Sequence, residues 1–161
     1  MRKTFAVMVL AVVMALVLAG CGGSSGSSSA SASSSSSITS VMKFAMQYDE
    51  IAAIPTDGIE NIGSNAFAAK VGDYTMNLSE TKTNMIVEIV SNGDFEGMKQ
   101  IFVDVMTTLD SSLTDQAAAA FDETVASFGD EDSVVELVSY RVIFSAPNET
   151  ETGHIQVVIE K

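Results

Sequence analysis

The stretch that decides the fold runs from Asp94 to Leu109, DFEGMKQIFVDVMTTL. Its apolar residues Phe95, Met98, Ile101, Phe102, Val105, Met106 and Leu109 follow one another at steps of 3, 3, 1, 3, 1 and 3. Those steps track the helical turn, so they predict a helix with one continuous apolar stripe. Asn92-Gly93 breaks the chain before it, and Asp94 offers a side-chain oxygen to the unpaired N–H groups of the first turn. A stripe of this length must lie on a broad apolar surface, and the segments around it alternate in a way that only a sheet explains.

Upstream, Tyr74, Met76 and Leu78 alternate with Thr75, Asn77 and Ser79, the period of a strand with one wet face. Glu80-Thr81-Lys82-Thr83 turns that strand into Asn84–Val90, which predicts a hairpin. Phe67–Val71 reads as a further short strand, ended by Gly72-Asp73. Val41, Phe44, Ala45, Tyr48, Ile51 and Ala52 place a helix within 38–54, with Ser40 as N-cap and Pro55 as its stop. Asp57-Gly58 and Gly63-Ser64-Asn65 between them read as irregular chain.

Downstream, Thr114 is placed to cap a second helix, with Ala117, Ala118, Phe121, Val125 and Phe128 on its inner face and Gly129 at its end. Val134–Phe144 is rich in β-branched and aromatic residues and reads as a strand; Ile155, Val157 and Ile159 close a hairpin with it. The expectation is therefore an α+β fold: an antiparallel sheet of about four to five strands with helices packed on one face.

The N-terminal segment has a different character. Arg2-Lys3 is followed by an uncharged apolar run from Phe5 to Leu18, the layout of a secretory signal. The run falls short of the roughly 20 apolar residues that a retained membrane-spanning helix needs. It ends in Leu18-Ala19-Gly20-Cys21, which resembles the lipobox of bacterial lipoproteins. That resemblance covers residues 1–21 only. It implies cleavage between Gly20 and Cys21, a diacylglyceryl group on the Cys21 thiol, and anchoring at the extracytoplasmic face of the cell membrane. As Cys21 is the only cysteine, an internal disulfide is impossible.

Residues 22–40 are almost wholly Ser, Gly and Ala, with no apolar face to bury. Such a tether is expected to be a flexible coil with a reach of roughly 25 Å. The organisation expected is thus a signal peptide over 1–20, a lipidated cysteine and tether over 21–40, and one acidic domain over 41–161. A Ser-rich tether before a small acidic α+β domain is similar in style to small lipoproteins of Gram-positive bacteria, a likeness that implies no activity.

Charge narrows the partners. The chain carries 8 Lys+Arg against 21 Asp+Glu, a net of −13. Loss of Arg2 and Lys3 with the signal leaves 6 cationic side chains against the same 21, a net of −15. A field of that sign repels phosphate backbones and anionic headgroups, so no nucleic acid is expected and the domain should stand clear of the lipid surface. Basic surfaces, cationic peptides or metal ions would be attracted, although acidity can also serve solubility alone.

The candidate chemistry is thin. His154 is the only histidine, with Ser139 or Ser145 as conceivable neighbours; a catalytic role would also need an orienting acid. Asp130-Glu131-Asp132 lacks the ligand spacing of a calcium loop, since Val134 stands where a third ligand belongs. Asp122-Glu123 reads as a solvated helix face. Asp49, Glu50, Asp57 and Glu60 could form an acidic patch, but with no Trp and three Tyr a walled sugar cleft is not expected. Met98 and Met106 belong to the helical stripe, while Met42, Met46, Met76 and Met85 are scattered and read as gap-fillers rather than a soft-metal motif. No catalytic, cofactor or metal set is expected, and lipidation at Cys21 is the one site assigned. The leading expectation is a non-enzymatic, membrane-tethered binding or interaction module of the cell envelope, its partner an unspecified protein, peptide or small molecule. The alternatives are a structural subunit of an envelope assembly or a hydrolase with an unrecognised site.

Overall fold

The computed structural model describes residues 40–129, 131–147 and 152–161. The segment expected as a signal peptide, Gly20, Cys21 and the expected tether up to residue 39 lie outside the described residues, as do Asp130 and residues 148–151.

Helix α1 (Val41–Ile51) is followed by four strands, β1 (Thr56–Gly63), β2 (Ala66–Val71), β3 (Tyr74–Glu80) and β4 (Asn84–Val90). Helices α2 (Lys99–Leu109) and α3 (Thr114–Ala126) come next, then strands β5 (Ser133–Leu137), β6 (Tyr140–Ser145) and β7 (His154–Glu160). The sheet order is β1-β2-β3-β4-β7-β6-β5, with every neighbouring pair antiparallel. The α+β class and the antiparallel sheet are as expected, but the strand count is not: seven strands replace four to five.

Two segments account for the difference. The stretch after Pro55, read as irregular, is the edge strand β1; register shifts between Thr56 and Ile59 and between Asn61 and Gly63 hide its alternation. The run Val134–Phe144 is two strands rather than one, folded back at Val138-Ser139. That turn contains neither Gly nor Asn, and Val138 meets its demand by adopting φ +58.

One face of the sheet is buried. Met76 and Leu78 of β3, Met85, Val87 and Ile89 of β4, Ile155, Val157 and Ile159 of β7, and Val142 and Phe144 of β6 all point into the core. Against them lie Phe44 and Tyr48 of α1, Ile101, Phe102, Val105 and Met106 of α2, and Phe121 of α3. Phe102 is fully buried, with its ring 5.3 Å from Phe144 and 6.3 Å from Phe121. The apolar stripe of α2 is thus the contact of the helical layer with the sheet.

Local chemistry sets the helix ends. Ser40 Oγ accepts the N–H of Lys43, as an N-cap should. The helical stripe begins as a short 3-10 turn, Glu96–Met98, before α2 proper. Asp94 Oδ1 accepts the Gly97 N–H at 3.1 Å, and Tyr74 Oη donates to Asp94 Oδ2 at 3.3 Å. Gly97 is required there, because a Cβ would run into the Tyr74 hydroxyl and come within 2.6 Å of Asp94 Oδ2. Thr114 does not cap α3; a 3-10 turn precedes it, with Asp110 Oδ1 accepting the Ser112 N–H at 2.9 Å. Nor does Gly129 close α3: Ser127 does, its hydroxyl donating to the carbonyls of Glu123 and Thr124.

Candidate functional site

The registers give the sheet two ends. At one lie Ser40, the turn Thr81–Thr83, the turn Val138-Ser139 and Lys161. The chain enters the domain here: the N–H of Val41 donates to Glu80 Oε2, and Lys161 Nζ binds Glu80 Oε1 and, at 2.9 Å, the carbonyl of Thr81. The Lys161 ammonium, helped by that Val41 N–H, holds the Glu80 carboxyl below its ordinary value. The charge at this entry end is mixed, with Lys43, Lys82, Arg141 and Lys161 set beside Glu80, Asp110, Asp115, Glu136 and Glu160.

The far end is different. Asp57, Asp73, Asp94, Glu96, Glu131 and Asp132 are all exposed there, in the turns and strand starts opposite the chain entry. The nearby cations are Lys70 and Lys99, and Lys99 is held by both carboxylate oxygens of Asp122 at 2.6 and 2.7 Å. The acidity of the described residues is therefore polarised along the strands, weaker at the Ser40 end and stronger at the opposite one. Burial, reinforced by the Asp94 carboxylate, raises the Tyr74 hydroxyl above its ordinary value.

The face of the sheet turned away from the helices has a charged centre. Glu88 of β4 stands between Asn77 of β3 and Gln156 of β7 and accepts one hydrogen bond from each side-chain amide, both at 2.9 Å. Ile86, Val90, Ile143 and Val158 surround that row on the same face. Two shallow depressions flank it. One, of about 250 Å³, is lined by Asp57, Glu60, Lys70 and Thr75 among others; the second, of about 400 Å³, lies at the entry end beside Glu136, Arg141 and Glu160.

The residues singled out in the sequence fall as follows. His154 begins β7 directly opposite Ser145 of β6, whereas Ser139 sits in the turn at the other end. The Ser145 hydroxyl is buried and without a hydrogen-bond partner, so it is not bonded to the imidazole. Of Asp49, Glu50, Asp57 and Glu60, Asp49 accepts the N–H and hydroxyl of Thr56, the residue before Asp57, at 2.9 and 3.1 Å, and Asp57 and Glu60 line one shallow depression. Asp122 faces solvent as expected but holds Lys99. Of the scattered methionines, Met76 and Met85 are core, while Met42 and Met46 stand 52% and 65% exposed on α1.

Among the described residues no group of three or more His, Cys, Asp or Glu is placed to hold a metal ion. No helix among them is long and apolar enough to cross a membrane. No protein-family model, curated protein or solved structure matches the chain. What the sequence did not signal was the clasp on Glu88 and the polarity of charge, since both arise from pairing between distant strands.

Proposed function

We propose that the protein is a lipid-anchored, extracytoplasmic binding module that offers a strongly acidic end to a basic partner at the cell envelope. The observation that carries this reading is the polarity of charge about the chain entry. A tether leading into a mixed-charge corner leaves the acidic turns pointing away from the attachment, where opposite charge can steer a partner in. Membrane anchoring rests on the lipobox-like Leu18-Ala19-Gly20-Cys21. The proposed role is non-enzymatic. A structural subunit buried through its sheet is the less favoured alternative, because the middle of the uncovered face is the charged row Asn77–Glu88–Gln156 and removing a charge from water is costly.

Capture from detergent-solubilised membranes tests the proposal. The full chain should retain a partner with a basic contact surface. A chain neutralised at Asp57, Asp73, Glu131 and Asp132 should lose it, and Cys21→Ser should release the protein from the membrane or leave it as unprocessed precursor. Equal retention by the neutralised chain, or an intact mass without lipid on Cys21, would contradict it.

A further inference from the structure

We propose that the free edge of β5 is a recognition edge that accepts an extended, basic segment of a partner protein as an additional strand. This deepens the binding role proposed above and rests on its basic partner.

Among the described residues the sheet has two free edges, β1 and β5. Register shifts interrupt β1 twice, and bulges of that kind twist an edge away from an incoming strand. β5 is uninterrupted, pairing with β6 from Ser133↔Phe144 to Leu137↔Tyr140. The two-residue connection Val138-Ser139 makes Leu137 and Tyr140 the hydrogen-bonded closing pair. Alternation along an antiparallel ladder then turns the N–H and C=O of Val134 and Glu136 outward, to a side on which no strand of the described residues lies.

The side chains suit the same use. Val134 is 54% exposed and Val138 75%, two of the most exposed aliphatic side chains in the domain, and both belong to this hairpin. Val138 also holds φ +58, a conformation that a β-branched residue adopts only under strain. An exposed apolar side chain kept at a strained position is explained by a contact that uses it.

Charge selects the occupant. Glu131 and Asp132 lead into β5, and Glu136 lies on it, so a second copy pairing along this edge would bring like charges together. A lysine or arginine opposite Glu136 would instead be favoured. The present partner of Glu136 is Arg141 at 3.4 Å, with both side chains more than 60% exposed, a pair weak enough to exchange.

The test uses the full chain in detergent and a synthetic eight-residue peptide alternating lysine and valine. Its controls are the same peptide N-methylated at every backbone nitrogen, which blocks both of its edges, and a glutamate–valine counterpart. Amide hydrogen exchange at Val134 and Glu136 should slow at least ten-fold with the lysine–valine peptide and stay unchanged with either control. Glu136→Lys, a surface change that should leave folding intact, should weaken the lysine–valine peptide and favour the glutamate–valine one. Val134→Pro, which removes an outward N–H without breaking a bond to β6, should weaken binding at least ten-fold. Binding without protection of Val134 and Glu136, protection along β1 instead, or protection in the peptide-free chain through a dimer would overturn the edge while leaving a basic partner in place. Failure of every basic peptide to bind at low salt would overturn both proposals.

Discussion

The carboxylate of Asp104, in the middle of α2, accepts the backbone N–H of Ala53 at 2.9 Å, fastening the end of α1 to the central helix. Its other oxygen accepts from Gln100 Nε2 at 2.8 Å, so a nearly buried acid is satisfied on both sides. Asp104→Ala leaves the Ala53 N–H unpaired at a partly buried site, and losses of that kind cost about 1–3 kcal/mol. Urea denaturation should register it, together with faster amide exchange at Ala53.

Phe102→Ala should be more damaging. The ring is fully buried between the sheet and α3, within ring-contact distance of Phe121 and Phe144. Truncations of this type cost about 3–5 kcal/mol, against a total of about 5–15 for a typical domain. A wild-type denaturation midpoint for this variant would place the weight of the core elsewhere.

How much of this could be read beforehand depended on where each segment lies. The α2 stripe and the β3–β4 hairpin were legible because each buries one whole face, so their periodicity survives. β1 was not, because it is an edge strand whose exposed Asp57, Glu60 and Asn61 and two register shifts erase any alternation. The turn between β5 and β6 was missed because Val138 occupies a left-handed position that sequence reasoning reserves for Gly or Asn. The clasp on Glu88 has no local signature, because it needs Gln156, 68 residues away. The opposition of His154 and Ser145 was foreseen as a possibility, but their lack of a hydrogen bond was visible only in the structure.

The chain-entry corner should be acid-sensitive. The Glu80 carboxyl is held below its ordinary value of 4.5 by Lys161 and the Val41 N–H. A carboxyl lowered by folding contributes stability that is present above its unfolded pKa and lost as pH falls through its folded one. Stability of the wild type should therefore decline below about pH 4.5 more steeply than that of Glu80→Gln, which lacks this contribution at every pH. Parallel pH profiles for the two chains would show that the corner carries no such linkage.

Val138→Gly should stabilise the fold. Relief of a left-handed valine is worth about 1–2 kcal/mol, and the greater freedom of an unfolded glycine takes back a part of that. A net gain of about 1 kcal/mol in chemical denaturation is expected. A loss would mean that the Val138 side chain supports the hairpin through packing.

The acidic end opposite the chain entry is what should capture a basic partner, and stopped-flow association of the full chain with a lysine-rich probe peptide measures that. Two variants carry the same change in charge: Glu131→Gln with Asp132→Asn at the far end, and Asp115→Asn with Glu160→Gln at the entry end. Between 0.1 M and 1 M salt the screening length falls from about 10 Å to about 3 Å, so the wild-type association rate should drop steeply over that range. At 0.1 M salt the far-end pair should slow association several-fold and the entry-end pair should barely change it. Equal slowing by the two pairs, or a wild-type rate that ignores salt, would contradict a directed acidic surface and leave the charge to solubility alone.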